Sequence, residues 1–325
     1  MTESALLERV LAEADPARTP RDAAPDARAI AVRNRILRDR RAPRRRRAAI
    51  AGWASGMAVA AASAVVAVAV VVPQGAAIAS TPVPLSFTDA GTASEIIADA
   101  QDALAVASGP AEAERSVHFA SWSFAVDMGT KHTEVVPQVM TVEWNADLSG
   151  RTVAIEGVAY DPADAAANLG SEISSTGEIS WALDMQPGEF GAPVVEMPAA
   201  TPEGMRAVLE AYWMPSEDHT ASDVVAAISS VLGQWTLTNA QESEMLGSLA
   251  QADDVVALGT ATDRIGRPVT GLRVQTPDAT ASDVVLISAD TGRIVGVERT
   301  NLVENEAFAA GAIISYLLWD IEGVI

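Results

Sequence analysis

No cysteine occurs in the 325 residues, and the chain has only three histidines and one lysine, Lys131. Without cysteine, disulfide bonds, thiolate metal sites, a catalytic thiol and a lipidated cysteine anchor are all excluded. A domain of this chain outside the cell would therefore depend on its hydrophobic core for stability. Aromatic residues make up only 5% of the chain, but 49% of the residues are hydrophobic, which is enough to build a core.

Basic residues are scarce after the first 47 positions. The whole chain has 22 basic and 43 acidic side chains. Residues 1–47 hold 13 of the arginines and 7 acidic residues, and residues 48–72 hold no charge. Residues 73–325 therefore retain 9 basic and 36 acidic side chains, a net charge of −27. We expect this part not to bind nucleic acid or anionic lipid headgroups, because both would repel it.

The uncharged run of 25 residues predicts one transmembrane helix. At 1.5 Å per residue such a helix covers about 37 Å, which exceeds a hydrocarbon core of about 30 Å. The run is directly preceded by four arginines, Arg44 to Arg47, and the positive-inside rule places these in the cytoplasm. The predicted order is a cytoplasmic arginine-rich tail over 1–47, a transmembrane helix over 48–72, a linker over 73–90 and an extracellular α+β domain over 91–325.

Two further interpretations concern the membrane segment. Ala77-Ile78-Ala79 fits a signal-peptidase site with cleavage after Ala79, but the apolar run is longer than the 7–15 residues of a signal peptide. We therefore favour an uncleaved anchor. Gly52 and Gly56 have the GxxxG spacing that lets two helices approach closely. Small residues at this spacing are also expected by chance in so alanine-rich a segment.

The tail is too small to bury a core of its own. Two short amphipathic helical patterns, around residues 6–11 and 24–40, are separated by prolines. The arginines are explained by membrane topology and by contact with anionic lipid. The alternative is a docking segment for a cytoplasmic protein such as an RNA polymerase sigma factor, as in membrane-spanning anti-sigma factors. The histidine and cysteine zinc-binding pattern common in those proteins is absent.

The acidic part predicts helices and antiparallel strands. A capping box of Thr92 and Glu95 predicts a helix to about Ala107. Period-two patterns predict strands, and we favour a strand over a helix for the C-terminal 312–325. We expect residues 161–200 to cross the surface as a long excursion, with at most a short strand at Val194-Val195. The other expected strands cover 117–126, 139–144, 152 onward, 255–262, 269–276, 284–289 and 294–302, and the other helices cover 201–213, 222–232 and 239–252, with Thr201, Ser222 and Asn239 as N-caps.

Three turns share an aspartate, a glycine and a following arginine. They lie at 147–151, 263–267 and 290–293. Aspartate caps such a turn, and glycine takes the positive φ that the turn requires. We interpret all three as hairpin turns and not as a functional site.

No catalytic motif is present. The chain lacks the G-x-S-x-G, H-E-x-x-H, phosphate-loop and Gly-rich dinucleotide patterns. Side chains considered for metal binding or for acid–base chemistry are few and lack the required spacing. They are His118, His132, His219, Asp253, Asp254, Glu242 and Glu244. We expect a non-enzymatic chain with no catalytic residue, no cofactor and no metal, and with its tryptophans in the core.

The segments DDVVALGTATDRIGRPVTGLRV (253–274) and VVLISADTGRIVGVE (284–298) follow the helical stretch. Together with the arginine-flanked anchor, this order resembles an uncharacterised family of anchored proteins from high-GC Gram-positive bacteria. Their extracellular domain is similar to the RseB and LolA lipoprotein-carrier half-barrel. The resemblance implies a curved antiparallel sheet packed on helices, with a concave face that holds acyl chains or senses misplaced envelope molecules.

The expected function is a membrane-anchored envelope protein whose outer domain binds a lipid, a lipoprotein or a protein signal. The tail would pass that signal to a cytoplasmic partner. Two alternatives stay open. One is a hydrolase built on an unrelated α+β fold, which requires a polar catalytic triad in a pocket. The other is a scaffolding subunit without a ligand pocket, which would have a filled sheet concavity and an exposed apolar patch.

Overall fold

The chain has an α+β fold in the part that is described. Four helices and nine strands occur there. None of these helices is both long and apolar enough to cross a membrane. The predicted tail and transmembrane helix lie outside the described residues. The computed structural model describes residues 81–88, 91–127, 132–161, 164, 173, 175–305 and 308–321.

All four helices begin after a threonine whose hydroxyl accepts a hydrogen bond from the backbone at the third helical position. The predicted capping box at Thr92 is confirmed. The predicted caps Ser222 and Asn239 are wrong, and the caps are Thr220 and Thr238. In both, the threonine completes a capping box with an Asp or Gln three positions later. The helices are α1 Ala93–Val106, α2 Pro202–Ala211, α3 Ala221–Leu232 and α4 Asn239–Ala250.

The nine strands form one antiparallel sheet in the order β4-β3-β2-β1-β9-β8-β7-β6-β5. Two meanders, β1 to β4 and β5 to β9, are joined by the pairing of β1 with β9, where Phe119 lies opposite Trp319. The C-terminal strand is therefore central, and the prediction of a strand there is confirmed. The strands are β1 Ser116–Asp127, β2 His132–Trp144, β3 Gly150–Gly157, β4 Ser175–Met185, β5 Val256–Thr262, β6 Pro268–Gln275, β7 Ala281–Ser288, β8 Ile294–Asn301 and β9 Ile313–Trp319.

The prediction for residues 161–200 is wrong in part. Strand β4 lies inside this range and pairs with β3, whereas Val194-Val195 is not in a strand. Nearly all side chains of β4 are exposed. A strand with little burial does not show the apolar alternation on which the prediction relied.

One face of the sheet is covered by the helices, and the space between them is filled by side chains. The side chains of Phe119 and Trp319 belong to this core. The helices contribute Met205, Leu209 and Leu246, each fully buried. Protein interiors are close-packed and hold few voids larger than a water molecule, so we expect no large cavity between the sheet and the helices.

The opposite face of the sheet carries a second apolar cluster. Successive residues of a strand point to opposite faces of the sheet. Phe119 and Trp319 belong to the core on the helix side, and their neighbours Ala120 and Leu318 belong to the second cluster. Leu85 and Phe87 pack against it from residues 81–88, which we call the strap. A Cβ added at Gly271 would collide with the ring of Phe87, so this glycine makes room for the strap. The described part of the predicted linker is therefore attached to the sheet.

Candidate functional site

A cleft of about 750 Å³ lies at the turn end of strands β2 and β3. We call it the hairpin cleft. It is open to solvent. Basic, acidic and uncharged polar side chains line it. The lining residues are Arg115, Ser116, Glu143, Trp144, Asn145, Ser149, Gly150, Arg151, Asp184, Met185, Gln186 and Pro187.

Trp144 forms the inner wall of the hairpin cleft. Its ring stacks on Phe190, with centroids 5.0 Å apart and planes inclined by 7°. The Trp144 ring also packs edge-on against the ring of Trp235, with centroids 4.9 Å apart. The indole Nε1 donates to the carbonyl of Gln234 at 2.8 Å. Trp144 thus links β2, the loop after α3 and the segment after β4.

Arg115 holds the segment after β4 against the sheet. Its guanidinium carbon lies 5.4 Å from the ring centroid of Trp144 and 5.3 Å from that of Trp235, within the range of a cation–π interaction. The same guanidinium donates to the Val195 carbonyl and to the Glu196 carboxylate, both at 2.8 Å. Residues 190–196 are therefore fixed in place by aromatic stacking and by Arg115.

The hairpin cleft lacks the histidine of a serine-hydrolase triad. Two serines line it, but no histidine does. Ser149 accepts a hydrogen bond from the Asn145 amide at 3.0 Å. The exposed pair of Arg151 and Asp184 is separated by 3.7 Å, which is worth little in water. The cleft offers mixed charges and an aromatic wall, features that also occur at protein-binding surfaces.

A second cleft, of about 520 Å³, lies between the end of α1 and the start of α4. The Asn239 amide donates to the carbonyls of Leu104 and Ala107 at 3.1 and 2.9 Å. It therefore satisfies two carbonyl groups at the end of α1. A Cβ added at Gly109 would collide with this amide. These contacts are structural.

Two of the three predicted turn arginines bind the end of β9. Arg267 donates to Asp263 at 2.8 Å and to the Trp319 carbonyl at 2.7 Å. Arg293 donates to the Asp320 carboxylate at 2.7 Å and forms an ion pair with Glu242 on α4. We call Arg293, Glu242 and Asp320 the β9 clamp. The corresponding arginine of the first turn, Arg151, makes no such buried contact.

A further buried pair lies on the face opposite the helices. Arg264 donates to both carboxylate oxygens of Glu298, at 2.6 and 3.1 Å. The ring of Tyr316 lies 5.1 Å from the guanidinium. Arg264 also donates to the Val83 carbonyl at 2.9 Å, so it ties the strap to the sheet. Burial raises the pKa of the Glu298 carboxyl, and Arg264 opposes that rise.

Glu242 is the most buried carboxyl of the β9 clamp. Burial raises its pKa to about 8, while the charge of Arg293 lowers it and that of Asp320 raises it. The carboxylate also accepts a hydrogen bond from the Ile294 amide at 3.0 Å. A carboxyl with a raised pKa in a cleft would suggest catalysis. Glu242 lines neither of the two clefts, and its contacts join α4 to the start of β8.

The pKa of Glu242 predicts how stability changes with pH. The unfolded carboxyl loses its proton near pH 4.5 and the folded one near pH 8. The folded state therefore binds more protons between these values, and stability falls as the pH rises through that window. Urea unfolding at several pH values, followed by tryptophan fluorescence, measures this slope. Glu242→Gln is expected to reduce the dependence of stability on pH. The control Glu244→Gln, on the same helix, is expected to leave that dependence unchanged. Equal slopes for the two variants would contradict the raised pKa of Glu242.

The structure does not bring the two strand histidines together. The register of β1 and β2 places His118 opposite Thr141 and His132 opposite Asp127, so the two histidines are at opposite ends of the hairpin. His219 lies before α3. Within the described ranges, no three His, Asp or Glu side chains are grouped so as to hold a metal ion.

The sequence did not indicate the hairpin cleft. Its wall depends on Trp144 and Phe190, which are 46 positions apart, and on Arg115, which reaches residues 195 and 196. Only the burial of tryptophan was expected. A search for matching proteins gives no further guidance: no family model matches the chain, no curated protein matches it, and no solved structure matches it.

Proposed function

We propose that the chain is a single-pass, membrane-anchored protein of the cell envelope whose outer domain recognises another protein. The tail over 1–47 would lie in the cytoplasm and the domain over 91–325 outside the cell. The charge pattern supports this topology, since 13 arginines precede the uncharged run and a net charge of −27 follows it. A signal received outside would be passed to a cytoplasmic partner of the tail, for which a sigma factor is the proposed class.

The filled space between sheet and helices favours a protein signal over a lipid. An acyl chain needs an enclosed apolar cavity of several hundred Å³. In the described part of the domain, large side chains occupy the space where a lipid carrier would hold its ligand. Those that are fully buried include Trp235, Tyr212, Phe190, Met205 and Leu209. The hairpin cleft, by contrast, is open and mixed in charge, as the rims of protein interfaces are.

The half-barrel resemblance is part of the proposal. Helices on one face of an open antiparallel sheet support it at the level of architecture. Fold-level analogy alone does not assign a ligand.

The scaffold without a pocket is the second candidate function, and the exposed Ile179 and Trp181 on β4 favour it. The hydrolase alternative lacks a histidine in the hairpin cleft.

Photo-crosslinking in the host tests the proposal. Arg151, on the rim of the hairpin cleft and 54% exposed, is replaced by a photoreactive phenylalanine derivative in the full chain. We expect the chain in the membrane fraction and a covalent adduct with a different protein, because a protein bound in the cleft would contact this rim. The matched control places the same derivative at Ser94, which is exposed on α1.

Each outcome decides between the candidates. A protein adduct at position 151 and none at position 94 supports recognition through the hairpin cleft. An adduct with lipid alone would overturn the preference for a protein signal. An adduct only with a second copy of the chain would favour the scaffold. Recovery of the chain in the soluble fraction would contradict the proposed anchor.

A further inference from the structure

The three hairpin turns lie at one end of the sheet, which we call the turn end. Antiparallel pairing brings the ends of β2, β5, β7 and β9 together with the starts of β1, β3, β6 and β8. The hairpin cleft lies beside the first of these turns. It is therefore at the same end of the sheet as the second and third turns.

Side-chain contacts join the parts of the turn end. The connection between α3 and α4 runs along it, since the Gln234 carbonyl accepts a hydrogen bond from Trp144 at 2.8 Å. Further along the same connection, the Leu237 carbonyl accepts one from Arg293 of the third turn at 3.1 Å. Arg267 of the second turn reaches the end of β9 at 2.7 Å. The hairpin cleft, the β9 clamp and the second turn are thus linked by direct contacts.

The strap enters the sheet at this same end. Thr88 pairs antiparallel with Thr260 on β5, through two backbone hydrogen bonds of 2.9 and 2.7 Å. Residues before Thr88 therefore run toward the end of β5, where the Val83 carbonyl accepts a hydrogen bond from Arg264 of the second turn at 2.9 Å. The first residues of the strap are thus fixed at the turn end.

The chain between the proposed membrane helix and the strap is short. Eight residues, 73–80, separate them, and fully extended these reach at most about 29 Å. If the opposite end of the sheet faced the membrane, they would have to run back along the seven residues of β5, which is about 23 Å. They would also have to cross a headgroup layer of about 6 Å. That path uses the whole reach, so the turn end is the one nearer the membrane.

The charge of the domain keeps it away from the lipid. Residues 73–325 carry a net charge of −27, which anionic headgroups repel. The turn end therefore faces the membrane across a layer of water. A protein segment that leaves the same membrane enters this layer directly, and the acidic domain favours a segment with basic side chains.

We propose that the hairpin cleft faces the membrane and binds the outer juxtamembrane segment of a second membrane protein, through lysine or arginine side chains of that segment. The inference rests on the proposed function and names the class of its partner. Glu143 and Asp184 line the cleft and are exposed. Asp184 pairs with Arg151 only at 3.7 Å, and both side chains are exposed. A basic side chain of the partner can therefore take the place of Arg151 at little cost.

Energy transfer to the membrane tests the orientation. A single cysteine is placed in the full chain, which has none of its own, by Asp290→Cys in the third turn or by Pro277→Cys at the opposite end of β7, both at exposed positions. The dye-labelled chain is reconstituted in vesicles of phosphatidylcholine and phosphatidylglycerol that carry an acceptor dye on a lipid headgroup. The eight residues of β7 separate the two labels by about 26 Å, so we expect at least about twofold more transfer from position 290. Equal transfer, or more from position 277, would overturn the proposal.

A spacer tests whether the partner lies in the same membrane. Four EAAAK repeats inserted after Gly75 add a mainly helical segment of about 30 Å and raise the cleft. In the full chain with the photoreactive residue at position 151, we expect the protein adduct to fall at least about fivefold, because binding is lost when the two sites cannot be engaged together. The control carries the same spacer after Pro20, before the proposed membrane helix, and is expected to give an unchanged adduct.

The outcomes separate this inference from the proposed function. An undiminished adduct with the spacer after Gly75 would show that the partner comes from solution and would overturn the inference alone. Asp184→Asn is expected to lower the adduct at least about twofold, whereas Glu203→Gln, exposed on α2, is expected to leave it unchanged. Equal adducts from these two variants would contradict a basic partner segment. No adduct even without the spacer would contradict the proposed function, while energy transfer decides the orientation independently.

Discussion

Replacing Arg293 by methionine is expected to destabilise the domain by about 3–5 kcal/mol, the range for breaking a buried ion pair by removing one partner. The guanidinium donates to the Leu237 carbonyl and the Asn239 side chain at 3.1 and 2.9 Å. It also pairs with Asp320 and, above the Glu242 pKa of about 8, with the Glu242 carboxylate. Methionine leaves these acceptors without their donor. Urea unfolding of the full chain at pH 9, where Glu242 is charged, followed by tryptophan fluorescence, measures the loss.

Two variants serve as controls for this result. Arg151→Met removes the arginine of the equivalent first turn, whose ion pair is exposed, and is expected to change the stability by less than about 0.5 kcal/mol. Adding Glu242→Met to Arg293→Met is expected to recover part of the loss, because the buried carboxyl is removed together with its partner. A similar loss for Arg293→Met and Arg151→Met would show that the β9 clamp is not the cause.

The β9 clamp also shows what a turn motif can and cannot predict. Aspartate, glycine and arginine located the three hairpin turns correctly, since the turn depends on local backbone geometry. The role of each arginine depends on what the fold places beside it. Asp320 lies 27 positions after Arg293, and Glu242 lies 51 positions before it. Local sequence therefore predicted the positions of the turns, but it did not show that Arg293 is buried in an ion pair whereas Arg151 is exposed.

Elements with a buried face were predicted well, and exposed ones were not. The strand pattern of β5 to β9 was recovered because each of these strands alternates between the helix side and the opposite face of the sheet. β4 was missed because its side chains are nearly all exposed. The segment that follows β4 has no periodic pattern either, although Phe190 within it is fully buried. Its position is determined by contacts with Trp144 and Arg115, which are distant in sequence.

Trp144→Ala is expected to destabilise the domain by about 3–5 kcal/mol, the usual cost of removing a large aromatic side chain from a core. The variant leaves a cavity between Phe190 and Trp235 and removes the hydrogen bond to Gln234. It also removes one of the two rings that hold Arg115. Because Phe190 and Arg115 together fix residues 190–196, we expect this segment to loosen before the domain unfolds.

Two measurements separate the local effect from the global one. Urea unfolding gives the loss of stability, and hydrogen exchange gives the opening of residues 190–196 in the folded state. The matched control is Trp213→Ala, since Trp213 is 67% exposed and its loss is expected to cost less than about 0.5 kcal/mol. If Trp144→Ala lowers stability without faster exchange in residues 190–196, Trp144 is a core residue alone. Faster exchange there would identify Trp144 as the residue that keeps residues 190–196 in place beside β2.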